Sequence, residues 1–314
     1  MREKIREFFE KFGLEKEIEF YYRKLRENIM KNRFSKIEEQ KKYITKNFKK
    51  RLGYEINFKK NPETFNQKLQ FRKIYDNNLL YILCADKYAV REYVKRKIGE
   101  KYLVPLYLVT DKLTQEQWNE LPTEFVAKAN HNSGPVQIIR NKFQVDSKKI
   151  IKELNNQLKL DFGIITLEKW YSKIKPKIII EKYLEHSNDT IEDFKFHIFN
   201  TENIFIEHIY ERKNNQIFEC FYDKNWNRID IAIGAKIYNH TVKKPQNYEE
   251  MLKIAIKLAE DFEYARIDLY NIKGKIYFGE ITFCGDCGFG KFTDEKWDYK
   301  FGKFWKQKKF KEEE

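Results

Sequence analysis

The stretch YFGEITFCGDCGFGKF, at residues 277–292, contains two kinds of side chain that could do chemistry. Cys284 and Cys287 form a C-x-x-C pair, and Glu280 and Thr282 form a Glu-x-Thr just before it. Two thiols cannot complete a tetrahedral zinc site, and neither the other two cysteines nor the histidines have a spacing that supplies the missing ligands. A redox C-x-x-C normally starts a helix after a strand, whereas this pair lies in a glycine-rich segment. The carboxylate is therefore the stronger candidate for chemistry.

The sequence RIDLYNIKGKIYFGEIT, which leads into this stretch, predicts two strands around a turn at residues 271–274. Side chains alternate between the two faces of a strand. Arg266 and Asp268 therefore share a face of the first strand, and Glu280 and Thr282 share a face of the second.

The register of this hairpin decides whether the two carboxylates meet. If Asp268 lies opposite Phe278, then Asp268 and Glu280 are diagonal neighbours about 7–8 Å apart, a span that one or two divalent cations can bridge. A slip of one residue would separate them. The alternative is a solvated sheet face on which Arg266 and Glu280 form an ion pair. The local pattern leaves both interpretations open.

Three segments upstream place charged residues where a nucleotide could bind. FVAKAN predicts a strand that carries Lys128 and runs into the loop HNSG at residues 131–134. In KIIIEKYL a buried strand ends at Glu181, and the backbone of the connection after it could pair with the edge of an adenine. In ADKYAVREYV, Lys87 is expected in the first turn of a helix capped by Asp86, where amide groups and a cation favour phosphate. Each of these residues, taken alone, is also typical of a solvated surface.

The elements that position these residues fall into three segments. Residues 1–78 predict helices rich in Lys, Glu, Phe and Tyr, which we interpret as an accessory region. Residues 79–185 alternate short apolar runs with helices. Residues 186–314 are mainly strands, with one clear helix, which Asn247 is expected to cap, and a basic aromatic tail. The predicted fold class is α+β.

Composition limits the classes of function. The chain has 314 residues, 41% of them apolar, and a net charge of +14, which permits phosphate, acidic polysaccharide, anionic lipid or nucleic acid as a partner. We find no zinc-finger spacing and no RRM-type aromatic signature in the sequence, so no nucleic-acid partner is expected. The apolar runs are shorter than the roughly 20 residues that span a bilayer, and MREKIREFFEKF has charges where a signal peptide is apolar, so we expect a cytoplasmic protein.

The tail KWDYKFGKFWKQKKFKEEE interleaves basic and aromatic residues. This pattern is typical of an interfacial helix at the inner face of a membrane, and equally of a terminal helix that docks on the core. The sequence leaves both open.

The order of these pieces resembles the ATP-grasp superfamily and, more closely, the TupA-like ATP-grasp family, named for teichuronopeptide biosynthesis and found among polysaccharide-biosynthesis proteins. The resemblance runs from about residue 51 to 300, on the motifs NPETFNQKLQFRKIYD, ADKYAVREYV, FVAKANHNSG, KPKIIIEKYL, DFKFHIF and ARIDLYNIKGKIYFGEITF. It implies an ATP-grasp fold in which two α+β lobes clamp ATP, the first within residues 79–185 and the second within residues 186–314, preceded by a helical N-terminal region.

The resemblance also implies the roles of individual residues. ATP would be bound by Lys87, Lys128, Lys195, the loop residues His131, Ser133 and Gly134, and the hinge residues Glu181, Lys182, Tyr183 and Leu184. Magnesium would be bound by Asp268, Glu280 and Thr282. The catalytic cations that offset charge on the transferring phosphoryl group would be Arg266, Lys128 and Lys195. The loop has fewer glycines than is usual for the family, and Pro135 removes one amide donor from it.

The implied reaction joins a carboxylate to an amine. A substrate carboxylate attacks the γ-phosphoryl group of Mg-ATP to give an acyl-phosphate and ADP, and an amine then displaces phosphate. The expected partners are ATP, a sugar or uronic-acid carboxylate and an amine donor, in the synthesis of cell-surface polysaccharide. One alternative is a glycosyltransferase, although no D-x-D occurs in the chain. Another is a non-catalytic binder of polysaccharide or of a membrane surface.

Overall fold

The computed structural model of the protein describes residues 15–184, 193–213, 216–240 and 242–310. Residues 1–14 of the predicted helical region and residues 311–314 of the tail lie outside these ranges. The chain forms two compact units, each assembled from segments that are distant in sequence. The first comprises the described residues up to Glu39 with Asp86–Tyr88 and Pro105–Tyr183, and the second comprises Gln40–Ala85, Ala89–Val104 and the described residues from Leu184 onward. The domain boundaries predicted at residues 78 and 185 stay predictions.

Helices and strands alternate along the described chain. The helices are α1 (Glu15–Arg33), α2 (Ile37–Leu52), α3 (Phe65–Tyr75), α4 (Leu80–Ala85), α5 (Val90–Ile98), α6 (Gln115–Glu120), α7 (Ser147–Gln157), α8 (Phe162–Thr166), α9 (Tyr248–Ala259) and α10 (Lys296–Phe304). The strands are β1 (Leu106–Thr110), β2 (Phe125–Ala129), β3 (Gln137–Ile139), β4 (Ile178–Glu181), β5 (Asp193–Phe199), β6 (Asn203–Lys213), β7 (Gln216–Asp223), β8 (Arg228–Ile229), β9 (Lys236–Ile237), β10 (Tyr264–Ile272) and β11 (Lys275–Thr282). The predicted α+β class and the helical start of the described chain are confirmed.

The first unit contains a four-stranded antiparallel sheet in the order β1-β4-β2-β3. Strand β4 lies between two neighbours and all of its residues are buried, which accounts for its run of three isoleucines. The predicted alternation of β2 is confirmed, since Phe125, Ala127 and Ala129 are buried whereas Lys128 is partly exposed. Helix α7 packs its apolar face on this sheet through Leu154.

The second unit contains a seven-stranded sheet in the order β11-β10-β5-β6-β7-β8, with the short strand β9 paired to β7. All of these pairings are antiparallel except that of β7 with β9. Strands β5 to β8 are consecutive in sequence, whereas β10 comes from much later in the chain and pairs with the other side of β5. This arrangement places β5, β6, β10 and β11 side by side, and these are the strands that carry the predicted metal and phosphate residues of this unit.

Helix α3 is tied to both strands of the β10–β11 hairpin. It begins with a capping box at Thr64. The guanidinium of Arg72, which is fully buried, donates to the carbonyl oxygens of Phe283 at 2.9 Å and Tyr264 at 3.0 Å. Arg72 therefore holds the start of one strand and the end of the other.

Helix α9 is the helix predicted within residues 186–314, but it lacks the predicted cap. Met251, Ala255 and Leu258 are buried. The side chain of Asn247 makes no capping hydrogen bond; its Oδ1 instead accepts from Asn271 Nδ2 at 2.6 Å, and its Nδ2 donates to a hairpin carbonyl. The capping prediction was wrong because the hairpin turn competes for the same amide.

The described part of the basic aromatic tail docks on the core. Phe301 and Trp305 are fully buried, and a Cβ on Gly302 would lie 2.0 Å from the carbonyl oxygen of Glu63, so that only glycine fits there. The core-docking interpretation of these aromatic residues is confirmed and the interfacial one is wrong. No helix within the described ranges combines the length and apolar character needed to cross a bilayer.

We predict that Phe65→Ala lowers the free energy of unfolding by about 3–5 kcal/mol. The ring of Phe65 is buried and lies 5.0–6.4 Å, between centroids, from six other aromatic rings, which leaves little room for collapse. Urea unfolding followed by circular dichroism measures the change. Phe143→Ala is the matched control, because Phe143 is 77% exposed and its loss should change stability by no more than about 0.5 kcal/mol. Equal effects of the two substitutions would contradict the prediction.

Candidate functional site

The hairpin β10–β11 brings the two predicted carboxylates directly opposite each other. Its turn is formed by Lys273 and Gly274, with φ of 50° and 82°, the pairing of positive values that a tight two-residue hairpin turn requires. Asp268 pairs with Glu280, so the register that would place it opposite Phe278, one of those left open by the sequence, does not occur. The ladder shifts between Asp268 and Leu269, where β11 has one extra residue.

The extra residue of this bulge is Gly279. A Cβ at this position would lie 3.0 Å from the carbonyl oxygen of Asp268 and 3.2 Å from the ring of Tyr270. Glycine lets the two backbones approach at the bulge. The bulge therefore brings the side chains of Asp268 and Glu280 closer together than the predicted diagonal arrangement would.

Arg266 connects the polar side chains of this face. Its Nε and Nη2 donate to the two carboxylate oxygens of Asp268, both at 2.8 Å, and Nη2 also donates to Thr282 Oγ1 at 3.2 Å. Thr282 Oγ1 donates in turn to Glu280 Oε1 at 2.9 Å, and Arg266 Nη2 lies 3.5 Å from the same oxygen. The four predicted residues of the hairpin therefore form one hydrogen-bonded group.

Strands β5 and β6 add a second cation beside this group. Lys195 lies opposite Asp268 on one side and opposite Glu207 on the other. Its Nζ is 3.9 Å from a carboxylate oxygen of each and 3.8 Å from Asp193, beyond hydrogen-bonding distance of all three. The ammonium group thus sits among three carboxylates and is oriented by their charge rather than by a single bond to any of them.

A buried histidine supports the carboxylate of Glu207. His197 Nε2 lies 2.9 Å from Glu207 Oε2, and its Nδ1 lies 3.1 Å from the hydroxyl of Tyr264. The sequence analysis did not identify His197, Glu207 or Asp193. The alternation of DFKFHIF could have indicated His197 and Asp193, because it places both on the face that carries Lys195.

Six charged side chains form this cluster, Asp193, Lys195, Glu207, Arg266, Asp268 and Glu280, and several of them shift one another's pKa. Burial raises the pKa of Asp268 to about 6, although Arg266 and Lys195 oppose the rise. Burial also disfavours the charged form of Glu207, but Lys195, His197 and Arg266 lower its pKa to about 2. The pKa of Lys195 is raised, because the nearby carboxylates outweigh burial and the repulsion from Arg266.

The donor set of the hairpin fits magnesium. Asp268, Glu280 and Thr282 offer oxygen ligands only, and two carboxylates with open positions for phosphate oxygens are the usual protein contribution to a magnesium site. Among the described residues no group of three or more His, Cys, Asp or Glu could hold a metal ion by itself. The four carboxylates of the cluster exceed its two cations by two charges, and one divalent cation would balance this excess.

In the first unit, Lys128 and Glu181 form a direct ion pair on neighbouring strands. Lys128 Nζ lies 2.5 Å from Glu181 Oε2, with the side chains 19% and 10% exposed. The sheet register sets this contact, because β2 and β4 pair Val126 with Glu181 and Lys128 with Ile179. Two residues that the resemblance assigned to phosphate and to adenine are therefore adjacent.

Lys87 approaches the same end of β2 but does not lie in a helix. Helix α5 begins only at Val90, so the prediction that Lys87 occupies its first turn was wrong. Asp86 does not cap α5; its Oδ1 accepts from Tyr88 N and from Asn130 Nδ2, both at 2.8 Å. The chain is turned there by side-chain hydrogen bonds that favour a bend over a helix.

Hydrogen bonds from Lys87 and within the loop hold residues 131–134 in place. Lys87 Nζ donates to the carbonyl oxygen of Asn132 at 2.7 Å, and Asn132 Oδ1 accepts from the amide of Gly134 at 3.0 Å. His131 is buried, with Nε2 3.1 Å from the carbonyl oxygen of Leu160. Ser133 is the exposed residue of the loop. The loop therefore presents Ser133 to solvent while His131 and Asn132 anchor it.

The connection after Glu181 has one amide that is already used. Lys182 N donates to the carbonyl oxygen of Pro105 at 2.9 Å, which extends the pairing of β4 with β1. Tyr183 and Leu184 follow at the end of the first unit and the start of the second. Among the amides of this connection, those of Tyr183 and Leu184 are the candidates for a base.

The two cysteines of the C-x-x-C pair form no disulfide and lie in the loop that follows β11. Cys284 is buried and Cys287 partly so. Asp286, Cys287 and Gly288 all have positive φ, and the carbonyl oxygen of Cys287 accepts from Gln70 Nε2 and Lys73 Nζ, both at 3.1 Å. Two side chains of α3 thus hold this tight turn in place.

A model of the TupA-like ATPgrasp family matches residues 67–306, which is most of the chain and includes both groups of charged residues. No curated protein matches the sequence at a significant level.

Solved structures show weaker likenesses. The ATP complex of D-alanine–D-alanine ligase from Bacillus anthracis is 18% identical over 64% of this chain and 54% of that chain, with a TM-score of 0.36. N5-carboxyaminoimidazole ribonucleotide synthetase from Thermus thermophilus is 8% identical over 67% and 48%, with a TM-score of 0.39. The ATP-grasp ligase PsnB, in complex with a minimal precursor, Mg and ADP, is 12% identical over 63% and 49%, with a TM-score of 0.32. The chain spans about half the length of these proteins.

We predict that Glu207→Gln lowers the free energy of unfolding at pH 7 by about 3–5 kcal/mol, because it removes one partner from a buried group of charges. The effect should depend on pH. The folded pKa of Glu207, about 2, lies below its ordinary value of 4.5, so its stabilisation is complete above pH 4.5 and is lost as the pH falls towards 2. Urea unfolding of both proteins between about pH 7 and pH 3 should show the difference shrinking with acid.

The control is Glu202→Gln. Glu202 forms an exposed ion pair with Lys306 at 2.8 Å, with both side chains at least 60% exposed, so its loss should cost no more than about 1 kcal/mol. A difference between wild type and Glu207→Gln that is the same at every pH would show that the charge of Glu207 is not what stabilises the cluster.

Proposed function

The chain belongs to the TupA-like ATP-grasp family, and from this premise we propose that it is an ATP- and magnesium-dependent ligase that joins a carboxylate to an amine. The observation that carries the proposal is the placement of Asp268 directly opposite Glu280 on β10 and β11. Thr282 adds a third oxygen ligand, and Arg266 and Lys195 add two cations beside it. Oxygen ligands for magnesium next to cations for phosphate are what phosphoryl transfer requires.

The residues of the first unit would bind the rest of the nucleotide. The carboxylate of Glu181 orients the ammonium group of Lys128. A phosphate would be a second anionic partner for this ammonium group. Lys87 and the exposed Ser133 suit phosphate oxygens, and Gly134 beside them adds no side chain. We assign adenine recognition to Glu181 and to the backbone of Tyr183 and Leu184, since the amide of Lys182 is used by the sheet.

The proposed mechanism depends on the positions of the two cations, Arg266 and Lys195. Bound magnesium supplies Lewis-acid stabilisation of the phosphate oxygens. Arg266 and Lys195 offset the charge that develops as a substrate carboxylate attacks the γ-phosphoryl group, which yields an acyl-phosphate and ADP. The amine then attacks the acyl carbon, the new C–N bond replaces the C–O bond to phosphate, and the amine loses a proton. Arg266 suits this role because two hydrogen bonds to the carboxylate of Asp268 fix its guanidinium group before any substrate binds.

We further propose that the carboxylate belongs to a uronic acid or a peptide-like acceptor used in cell-surface polysaccharide synthesis. The family is named for teichuronopeptide biosynthesis, and a net charge of +14 favours an anionic acceptor. The amine donor is a second small substrate, and work at the inner face of the membrane suits such an acceptor.

We predict that the protein binds ATP only in the presence of magnesium or much more tightly with it. Saturating Mg-ATP, at about 100 times its Kd, should raise the free energy of unfolding by about 2.7 kcal/mol. Thermal unfolding with ATP, Mg-ATP and a UDP-sugar measures this. No shift with Mg-ATP together with a clear shift with the UDP-sugar would replace the ligase proposal with a glycosyltransferase.

We predict that Glu280→Gln lowers the rate of ADP formation at least about 100-fold while the protein still folds and binds ATP. The substitution keeps the shape of the side chain but removes a negative charge from the magnesium site. Asp268→Asn should behave similarly in turnover. The assay is ADP release with a panel of uronic acids and amines, with folding checked by circular dichroism.

The control for this substitution is Glu249→Gln, which removes a carboxylate that is 76% exposed and paired only with Lys244 among its described ion pairs. It should leave turnover unchanged. A folded Glu280→Gln protein with near-normal turnover would remove Glu280 from the mechanism.

A further inference from the structure

One face of helix α1 is packed against the first unit. Glu27 is buried, and its carboxylate accepts from Lys24 Nζ at 2.8 Å and from the amide of Asp161 at 3.1 Å. Lys24 Nζ also donates to the carbonyl oxygen of Lys159 at 2.6 Å. Met30 is buried one turn after Glu27. These contacts fix the rotation of the helix about its axis, and so determine which residues face away.

The opposite face carries a row of large apolar side chains. Tyr21, Leu25 and Ile29 are spaced four residues apart and are 70%, 59% and 58% exposed. Residues at this spacing lie one above the other along a helix, so the three form one continuous stripe, which we call the α1 stripe. In a globular domain a helix normally packs such a stripe against the core. In α1 the opposite face packs against the core, and the stripe is exposed.

Within the part of α1 whose side chains are described, the charges beside the α1 stripe are basic. Arg33 lies one turn after Ile29, Arg26 follows Leu25, and both are exposed, as is Lys31. The acidic residues of α1 whose side chains are described are Glu19, which Arg23 binds at 2.5 Å, and the buried Glu27. The exposed half of the helix therefore combines apolar and aromatic side chains with positive charge.

We propose that the α1 stripe, with Arg26 and Arg33 beside it, binds the surface of an anionic lipid bilayer. A helix with this distribution lies in the interfacial plane, its apolar side chains in the headgroup region and its cations near lipid phosphates. Tyrosine suits the position, because its ring is apolar and its hydroxyl reaches water. The net charge of +14 adds long-range attraction to an anionic surface.

Charge argues against a second copy of the chain as the occupant. A two-fold pairing of this helix would place the same patch on both sides of the interface, and the basic residues of both copies would then lie along one seam. Like charges in that position oppose association. An anionic bilayer meets both the apolar and the basic part of the surface. The inference concerns a surface of the first unit and does not depend on the proposed ligase activity.

The test is vesicle binding by the full chain. Wild type should bind vesicles of phosphatidylcholine with about one quarter phosphatidylglycerol, bind phosphatidylcholine alone at least about tenfold more weakly, and be released by salt. The triple variant Tyr21→Ser/Leu25→Ser/Ile29→Ser and the charge variant Arg26→Glu/Arg33→Glu should each bind the anionic vesicles at least about tenfold more weakly. Both should keep the circular dichroism spectrum and thermal midpoint of wild type, because all five side chains are exposed.

Leu79→Ser is the matched control, since Leu79 is 72% exposed and lies in the second unit. It should bind vesicles as wild type does. Equal binding by wild type and the triple variant would overturn the proposal. So would a concentration-dependent dimer that the triple variant abolishes without any vesicle binding, which would assign the stripe to a second copy.

Discussion

The balance of charge in the middle of the seven-stranded sheet constrains most of the second unit. Arg266 and Lys195 are largely buried and are offset by Asp268, Glu207 and Asp193 on the same and neighbouring strands. An uncompensated charge at this depth costs several kcal/mol. The register of the strands is therefore set by charge as well as by apolar packing, because a slip of one residue would turn both cations to the other face.

The residues around the cluster hold it in place and are not among the proposed ligand-binding residues. His197 holds the far oxygen of Glu207, and Tyr264 holds His197 from the other side. Arg72 binds the two strand ends through backbone carbonyls, so the hairpin is braced at the end remote from its turn. A cluster fixed in this way needs little reorganisation when charged ligands arrive, which is the physical basis of electrostatic preorganisation.

The elements that carry the candidate site residues could be predicted from the sequence better than the pairing between those elements. The α+β class, strand β2 with Lys128 and the hairpin that carries Asp268 and Glu280 followed from alternation and turn residues. The pairing of Asp268 with Glu280 did not, because a bulge at Gly279 breaks the period of two on which register arguments rest. The turn at Lys87 and the bonds of Asn247 were missed for a related reason. A side-chain hydrogen bond across 44 positions, from Asn130 to Asp86, leaves no local pattern, and neither does one from Asn247 to a hairpin turn 27 positions away.

The contacts of α3 constrain when the second unit can fold while the chain is being synthesised. Arg72 binds residues 192 and 211 positions further along the chain, and Asn66 binds Asp298, 232 positions away. A ribosome adding about 5–20 residues per second needs roughly 10–50 s to cover that interval. Phe65 and its neighbours leave the ribosome long before the strands that bury them exist. The core of the second unit therefore cannot close until strands β10 and β11 and helix α10 have been made, and its early segment spends that interval as an apolar surface that chaperones can recognise.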